Sequence, residues 1–505
     1  MSPAVSAPVE ARTWSKYPSI YEINTWVWLS ELRAKTGTPV HLGTVPPQEW
    51  DRVAELGVDA VWLLGVWERS PAGISIANRN VALQAEFRHT LDDFAPADNV
   101  GSPFCVRRYV VDEHFGGPAG LAAARCELRK RGLRLLLDFV PNHVAPDHPW
   151  VCQHPEYFIQ GTMADARTQP ASYIRRHGVV YACGRDPYFP AWPDVLQLNA
   201  FNAGVRGEAR ATLTDIAGEC DGVRCDMAML LTNSVFGRTW GRRAGPPPPT
   251  EYWREVIPTV KQQYPDFLFI AEAYWDLEWE LQQQGFDFCY DKRLYDRLAH
   301  GDARSVTDHL RADASFQNRL VRFIENHDEP RAASAFSSAR ERAAAVVSST
   351  LPGARLFHDG QFDGRHTRLP VFLARRPDEP LDCGLHEFYA HLLGAVTSAT
   401  LRDGDWRLCE HSGWPDNNSH ERIGAWCWNG ASGRYLVTVN LSEGQAQGRI
   451  HVDWPDVIGR DVTLKDTLSN SAYTRSGDEL VSTGLYVDLA PWGCHLFEVQ
   501  KRTES

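Results

Sequence analysis

The sequence of 505 residues has no run that approaches 18 consecutive apolar residues, which argues against a membrane-spanning helix. Its N-terminus, MSPAVSAPVEARTWSKYP, lacks the basic region followed by an apolar region that marks a secretion signal. The eleven cysteines include no CxxC pair, and their odd number is typical of reduced thiols rather than of disulfides or a zinc site. We therefore expect a cytoplasmic protein with no membrane partner.

The chain also has fewer positive than negative residues, with 52 Lys and Arg against 64 Asp and Glu, which gives a net charge of −12. This balance argues against a nucleic-acid partner, since binding a phosphate backbone requires a basic face. Tryptophan, in contrast, is abundant at 18 residues. Most of these indoles must pack in a core, but their faces also suit the apolar faces of sugars and other flat ligands. The length itself predicts two or three domains.

The first four-fifths of the chain alternates predicted strands with predicted helices. The apolar runs predicted as strands are SIYEINTWVWL near 19, VDAVWLL near 58, LRLLLDF at 133, DGVRCD at 221, DFLFIAE at 266, FDFCYD at 286, LVRFIE at 320 and ARLFHD at 354. The helical patterns are PQEWDRVAELG, GLAAARCELRKRG, VRGEARATLTDIAG, EYWREVIPTVKQQY, ARERAAAVVSST and HEFYAHLLGAVTSA. Short, nearly all-apolar strands alternating with helices indicate a parallel sheet, and eight of them predict an α/β fold closed into a (β/α)8 TIM barrel.

Two segments interrupt or follow this alternation. Residues 144–198 are rich in Pro, Gly, His and aromatic residues, and we interpret them as a small subdomain inserted after the third strand. From residue 402 the pattern changes to short alternating strands, which predicts an all-β C-terminal sandwich over 402–505. The barrel then consists of residues 1–143 and 199–401.

Acidic residues stand at the C-terminal ends of four predicted strands. They are Asp138 in LRLLLDFVPNH, Asp226 in CDGVRCDMAML, Glu272 in FLFIAEAYW and Asp328 in RFIENHDEP, and they are accompanied by His143 and His327. In a (β/α)8 barrel these strand ends meet on one face, where the active sites of the fold lie. We therefore expect the acids to form one site.

The environments predicted for two of these acids differ. Arg224 and Asp226 point to the same side of one strand, so the guanidinium is expected to keep the carboxylate ionised and oriented, as a nucleophile requires. Glu272 lies in apolar company beside Tyr274 and Trp275, which is expected to raise its pKa and to suit a proton donor. Two carboxylates in opposed environments are what glycoside hydrolysis requires.

At these motifs the sequence resembles the α-amylase family, glycoside hydrolase family 13. DFVPNH, GVRCD, AEAYW and ENHD look like the family's motifs on the third, fourth, fifth and seventh strands, and VLQLNAFN (195–202) resembles a further motif near the end of its inserted domain. The resemblance covers nearly the whole chain. It implies retaining cleavage or transfer of an α-glucosidic bond in an oligosaccharide or disaccharide, without an organic cofactor.

The resemblance also implies individual roles. Asp226 matches the nucleophile and Glu272 the general acid and base, while Asp328 matches the third acid, which holds sugar hydroxyls. Arg224 matches the residue that orients the nucleophile. The remaining matches are substrate-binding or site-lining residues, namely His143, His327, Asp138 and, in PFCVRRY, Phe104, which replaces a stacking tyrosine.

Several positions depart from the family pattern. Met229 and Leu230 stand where many relatives carry the Lys and His of an acceptor subsite, and Arg108 brings a positive charge near a position that often holds Asp. Asn142 matches a calcium ligand of secreted amylases. The insertion offers no evident set of further Asp ligands and we expect an intracellular protein, and both points argue against a bound calcium ion, although a structural calcium ion stays open. We predict no metal at the active site.

Other interpretations also stay open. His143, Asp147 and His148 include metal-ligand residue types, although Pro146 and Pro149 make this run a loop. GRDPYFPAWPD (184–194) is either rigid scaffolding or a sugar platform that uses Tyr188, Phe189 and Trp192. At the level of function, a retaining glycosidase competes with a glucanotransferase or isomerising transglycosylase that uses the same acids, and with a catalytically silent carbohydrate-binding protein.

Overall fold

The computed structural model describes residues 14–501 of the chain. Residues 1–13, which include most of the N-terminal stretch without a signal pattern and the start of the first barrel segment, lie outside the described residues. The same holds for residues 502–505 at the end of the predicted sandwich. No helix among the described residues combines the length and the apolar character needed to cross a bilayer.

Eight parallel strands form a closed barrel within residues 14–501. They are β1 (Ser19–Asn24), β2 (Ala60–Leu64), β3 (Arg134–Phe139), β4 (Gly222–Cys225), β5 (Leu268–Ala271), β6 (Phe288–Tyr290), β7 (Leu320–Arg322) and β8 (Ala354–His358). Each lies within one of the apolar runs predicted as a strand, and β1 pairs with β8 to close the sheet. The strands are buried on both faces because helices cover the outside of the barrel, which explains their continuous apolar sequence.

The first predicted strand is wrong in its second half. The strand ends at Asn24, and TWVWL begins the helix Thr25–Thr36. The Asn24 side chain accepts a hydrogen bond from the backbone N–H of Val27 and caps this helix. An apolar run alone does not distinguish a strand from a buried helical turn, and the cap within the run marks the change.

The six predicted helices are present. Their bounds are Pro47–Glu55, Gly117–Lys130, Ala203–Glu219, Tyr252–Gln263, Ser338–Thr350 and Cys383–Val396. Further helices include Pro71–Ala77, Val81–Thr90, Met163–Thr168, Asn233–Trp240, Glu278–Gln283, Lys292–His300, Ala303–Leu310, Ala399–Asp403 and Gly477–Ser482. Two of them, Pro71–Ala77 and Val81–Thr90, belong to a long excursion between β2 and β3 that the sequence did not predict. This excursion also contains an antiparallel pair of strands, Trp67–Arg69 and Val106–Val111.

A small antiparallel sheet follows β3, where the sequence predicts an inserted subdomain. Its strands, in spatial order, are His143–Val144, Trp192–Gln197, Val179–Gly184 and Tyr173–Arg176. This sheet has its own apolar cluster, which includes Val144, Val151, Phe158, Tyr181 and Leu196. The insertion therefore forms a packed unit beside the C-terminal ends of the barrel strands.

The C-terminal region is a sandwich of two antiparallel sheets, as predicted. The larger sheet contains, in spatial order, Asp405–Leu408, Ile423–Gly430, Gly433–Asn440, Cys494–Lys501, Asp461–Asp466 and Ala472–Ser476. The smaller sheet contains His411–Ser412, Ala446–Ile450 and Leu485–Leu489. Side chains of both sheets share a core, and the outer face of the larger sheet packs on the barrel, where the indole of Trp428 donates to the carbonyl of Thr350 (2.7 Å).

Candidate active site

The predicted acids meet at one end of the barrel. Asp138 lies in β3, Asp226 and Glu272 directly follow β4 and β5, and Asp328 lies in the loop after β7. Arg224, in β4, faces Asp138 across the β3–β4 ladder. This convergence is what parallel strands of a closed barrel impose on residues at their C-terminal ends.

Arg224 links the three acids proposed for catalysis. Its Nη1 lies 2.7 Å from Oδ1 of Asp226, and its Nη2 lies 2.8 Å from Oε2 of Glu272 and 4.0 Å from Oδ2 of Asp328. The Arg224 side chain is only 1% exposed. Burial favours its neutral form, yet the negative charges of Glu272 and Asp226 raise the pKa of Arg224 well above its ordinary value. The sequence predicted the pairing with Asp226 but not the ion pair with Glu272.

Glu272 lies in an environment that favours its protonated form. Burial, joined by the negative charges of Asp226 and Asp328, raises its pKa to about 7 despite the nearby guanidinium of Arg224. Its Oε1 accepts a hydrogen bond from the Tyr274 hydroxyl (2.9 Å), and its Oε2 accepts one from the backbone N–H of Met227. The direction of this shift is the one predicted from its apolar neighbours.

Asp328 is the most exposed of the three acids, with 43% of its side chain open to solvent. Its Oδ2 lies 3.0 Å from Nε2 of His327, whose Nδ1 contacts the carboxylate of Glu22 in β1. Burial disfavours charge on His327, but Asp328 and Glu22 raise the pKa of the imidazole well above its usual value. Partial desolvation of its carboxylate opposes ionisation of Asp328, yet His327 and Arg224 lower its pKa to about 2. Asp328 is therefore an ionised hydrogen-bond acceptor at the open side of the site.

Glu22 is a site residue that the sequence reasoning missed. It is fully buried within SIYEIN, where a charged residue interrupts an otherwise apolar strand. A buried carboxylate in such a run needs a charged or hydrogen-bonding partner, which His327 supplies. The interrupted pattern was the available signal, but it did not identify the partner.

Asp138 is a bracing residue at the base of the site. Its two carboxylate oxygens accept hydrogen bonds from the Trp62 indole (3.1 Å) and from the backbone N–H of Gly65 (2.7 Å). Burial raises its pKa to about 6, against the effect of Arg224. These contacts join β3 to the end of β2.

Phe104 and His143 line the site from the β2–β3 excursion and from the start of the insertion. The Phe104 ring stacks on His327 with centroids 5.3 Å apart, and the Arg224 guanidinium carbon lies 5.2 Å from the Phe104 centroid. His143 is buried beside Trp192, with ring centroids 5.2 Å apart, and burial lowers its pKa. The Phe104 ring therefore packs against two charged groups of the site, the His327 imidazole and the Arg224 guanidinium.

Arg108 does not carry an uncompensated charge. Its Nη2 lies 2.8 Å from Oε1 of Glu68, on the neighbouring strand of the antiparallel pair. Half of its side chain is exposed. The positive charge expected from this departure is therefore balanced locally.

The metal-ligand residue types at 143–148 do not form a metal site. Asp147 accepts from the Ser70 hydroxyl (2.5 Å), and Nδ1 of His148 accepts from the backbone N–H of Trp150 (3.1 Å). Nδ1 of His143 lies 3.2 Å from Nδ2 of Asn142. Across residues 14–501 no group of three or more His, Cys, Asp or Glu side chains is placed to hold a metal ion.

Asn142, the match to a calcium ligand, contacts an amide. Nε2 of Gln197 donates to the side-chain oxygen of Asn142 (2.8 Å), to its carbonyl (2.9 Å) and to the carbonyl of Leu198 (3.0 Å). Gln197 and Asn142 are both buried. Calcium needs six to eight oxygen ligands, whereas here a nitrogen that carries hydrogens occupies the centre of the three oxygens. The residues present therefore do not fit the ion.

Met229 and Leu230, which replace the Lys and His found in many relatives, pack in the apolar core. Met229 and Leu230 lie in a 3-10 turn, Ala228–Leu231, and both are buried. They therefore offer no polar group to a ligand.

The surface of the neighbouring insertion exposes aromatic rings, since Tyr188 and Phe189 are 59% and 66% exposed. Asp186 accepts hydrogen bonds from both of their backbone N–H groups, which stabilises the turn, while the two aromatic rings are exposed to solvent.

Similar proteins include characterised members of one enzyme family. The chain is 26% identical over 396 residues to an α-amylase of Haloarcula japonica, covering 75% of this chain and 49% of that protein. It is 28% identical over 232 residues to an α-1,4-glucan:maltose-1-phosphate maltosyltransferase of Bifidobacterium longum, covering 44% of this chain and 25% of that protein. The crystal structure of the Geobacillus thermoleovorans α-amylase complexed with acarbose matches with a TM-score of 0.66 at 18% identity, covering 97% of this chain and 100% of that one.

These matches bear differently on fold and on membership. At such low identity, the structural match shows a shared fold. The chain spans about half the length of the first two curated relatives, at 49% and 50%. The family model for the α-amylase catalytic domain matches residues 48–368, which is more than half of the sequence, and the chain therefore belongs to the α-amylase family.

Proposed function

We propose that the protein is a retaining α-glycoside hydrolase that cleaves α-glucosidic bonds of oligosaccharides or disaccharides through a covalent glycosyl intermediate on Asp226. The observation that carries this proposal is the Arg224 guanidinium, which holds Asp226 at 2.7 Å and Glu272 at 2.8 Å. Two carboxylates on the same guanidinium are close neighbours. This favours the spacing of about 5 to 5.5 Å used in retention over the wider spacing that admits a water molecule.

Each acid then has a distinct task. Glu272, with a pKa of about 7, donates its proton to the glycosidic oxygen while Asp226 attacks the anomeric carbon. The Glu272 carboxylate next removes a proton from water, which attacks the intermediate and restores the anomeric configuration. Asp328, ionised beside His327, accepts hydrogen bonds from sugar hydroxyls as the ring flattens. No step requires an organic cofactor or a metal.

A glucanotransferase or isomerising transglycosylase is the second candidate, because it would use the same three acids with a sugar hydroxyl in place of water. The similarity to a maltosyltransferase supports keeping this alternative. A catalytically silent carbohydrate-binding protein is disfavoured, since such a protein has no need to retain a complete set of acids held by a buried arginine. We further propose a cytoplasmic location, which the eleven unpaired cysteines support.

The test is a product analysis with maltose, maltooligosaccharides, sucrose and trehalose. Proton NMR at early times should detect the α-anomer first, and longer oligosaccharides would identify transfer. Asp226→Asn should lower kcat by at least about 10³-fold on every substrate that is turned over. Unchanged turnover in this variant would refute the nucleophile assignment, and a β-anomer as first product would refute retention.

A further inference from the structure

A cavity of about 400 Å³ lies beside the active site, between the insertion and the helix Asn233–Trp240. We call it the rim pocket. Its lining residues are Arg185, Asp186, Pro187, Tyr188, Phe189, Arg238 and Thr239. Neither the proposed mechanism nor the family motifs use these residues.

Two arginines of the rim pocket have no carboxylate partner among the described residues, although the guanidinium carbon of Arg185 lies 4.6 Å from the centroid of the Trp240 ring. Nη2 of Arg185 donates to the carbonyl of Thr239 (3.1 Å), and Nη2 of Arg238 donates to the Tyr188 hydroxyl (3.2 Å). Within the part of the chain that the structure describes, no carboxylate oxygen lies within 4.0 Å of either guanidinium, and Nε of Arg185 is buried without a hydrogen-bond partner. The carboxylate of Asp186 is engaged by two backbone N–H groups of the turn.

Three other arginines around the barrel mouth are paired with carboxylates. Arg368 contacts Glu86 at 2.5 Å, Arg375 contacts Asp98 at 2.7 Å and Arg376 contacts Asp359 at 2.8 Å. In a chain with a net charge of −12, the rim pocket brings together two guanidinium groups that have no carboxylate partner among the described residues. Guanidinium groups bind phosphate and carboxylate through paired N–H donors, so this charge favours an anionic ligand.

The rim pocket adjoins the side of the active site that holds Glu272. Tyr188 contacts Trp275 edge to face, with ring centroids 4.8 Å apart. Trp275 is on the loop that follows Glu272, next to Tyr274, whose hydroxyl donates to Glu272. Both Trp275 and Asp276 have left-handed backbone angles, with φ of 63° and 62°, a costly conformation in residues other than glycine. The loop thus holds the indole toward the insertion at an energetic cost.

The general acid stands on the leaving-group side of a glycosidic bond, because it protonates the oxygen that departs. We propose that the rim pocket binds an anionic group, a phosphate monoester or a carboxylate, that is carried by the leaving-group or acceptor sugar. The ring of this sugar lies against Tyr188 and Trp275. The assignment of this ring to the leaving-group side rests on the proposed function. Charge recognition here would replace the polar acceptor residues that the buried Met229 and Leu230 cannot provide.

Binding of glucose, glucose 6-phosphate, glucuronate and inorganic phosphate to the full chain tests this proposal by calorimetry. We expect at least one of the two charged sugars to bind about tenfold more tightly than glucose, the gain of one hydrogen-bonded charge contact. Glucose 6-phosphate and glucuronate distinguish phosphate from carboxylate as the preferred group. Arg238→Gln should remove the preference, and the exposed Arg242→Gln, which removes the same charge outside the rim pocket, should retain it.

Equal affinity for glucose and for both charged sugars would overturn the proposal. So would a preference that survives in Arg238→Gln and in the double variant with Arg185→Gln. Thermal unfolding of each variant establishes that it is folded. Failure of the proposed function would appear separately, as an absence of turnover with neutral α-glucosides, which the binding measurement does not use.

Discussion

At the residue scale, one guanidinium organises the site. Arg224 contacts Asp226 and Glu272 through separate nitrogens, and the ring centroids of Phe104 and Trp62 lie 5.2 and 5.6 Å from its guanidinium carbon. Removing a charge from such a buried cluster leaves its partners unpaired, which is costly. The pKa values of Glu272 and Asp328 differ because their surroundings differ. Glu272 is buried near two other carboxylates, whereas Asp328 contacts the His327 imidazolium.

The raised pKa of Glu272 predicts the alkaline limb of the pH profile. The general acid must be protonated to act, so kcat/KM should decrease about tenfold per pH unit above a pKa near 7. Asp328, with a pKa of about 2, should stay ionised throughout this range. A profile of kcat/KM from pH 4 to 9 measures the limb. A limb below pH 5, near the ordinary pKa of a glutamic acid, would show that burial does not act on Glu272 as described.

Tyr274→Phe should shift this limb to higher pH. The Tyr274 hydroxyl donates to Oε1 of Glu272 and stabilises the carboxylate form, so its removal should raise the pKa further. We expect kcat/KM at pH 7 to be retained or to rise by up to about twofold, because a larger fraction of Glu272 is then protonated. Tyr264→Phe, at the end of a barrel helix, is the matched control and should retain the wild-type profile. An unshifted limb in Tyr274→Phe would contradict the contact.

At the scale of elements, the barrel strands were predictable because each is a short apolar run bounded by polar residues, and all eight are present. The four acids were predictable for the same reason, since each follows or ends such a run. Contacts between distant elements were not predictable. Nothing local to AEAYW or SIYEIN indicates that Glu272 shares Arg224 with Asp226, or that Glu22 contacts His327.

The structure differs from the sequence predictions where the local sequence pattern is ambiguous. TWVWL is as apolar as a strand, and only the cap at Asn24 distinguishes it. The excursion between β2 and β3 has no repeated pattern, so its helices were missed. For GRDPYFPAWPD, the prolines and the Asp186 contacts explain the turn, but the neighbours of Tyr188, namely Arg238 and Trp275, come from the segments that follow the fourth and fifth strands.

The amide pair that joins β3 to the insertion predicts stability without calcium. Gln197→Leu would leave the buried oxygens of Asn142 and Leu198 without a donor, and we expect it to lower the free energy of unfolding by about 3 kcal/mol. Urea unfolding measures this change, with the exposed Gln445→Leu as control. A chelator should leave the wild-type Tm unchanged. A clear decrease of the Tm that added calcium reverses would contradict the assignment of Gln197.

At the scale of the whole molecule, the sandwich packs against the barrel through buried side chains and hydrogen bonds. Trp426 and Trp428 project from the larger sheet and donate to the hydroxyl and the carbonyl of Thr350, at the end of a barrel helix. The Trp428 ring also meets Tyr17, just before β1, with centroids 5.5 Å apart. The two units share one large apolar core that includes both tryptophans. We therefore expect the sandwich to contribute to the stability of the barrel.

Trp428→Ala tests this coupling. The side chain is fully buried, so its loss should lower the free energy of unfolding by about 3 to 5 kcal/mol. Trp414→Ala, which removes an exposed tryptophan from the same domain, should change it by less than about 0.5 kcal/mol. Calorimetry compares the two variants. Equal effects would indicate that the interface does not stabilise the fold.

The central claim is that Asp226 attacks the sugar and becomes covalently attached to it. A glucosyl fluoride with fluorine at the 5 position slows hydrolysis of such an intermediate and allows it to accumulate. Mass spectrometry of the peptides should then locate one glucosyl adduct on Asp226, and Asp226→Asn should show none. A stable adduct on another residue, or turnover of the reagent with release of the β-anomer, would contradict the account.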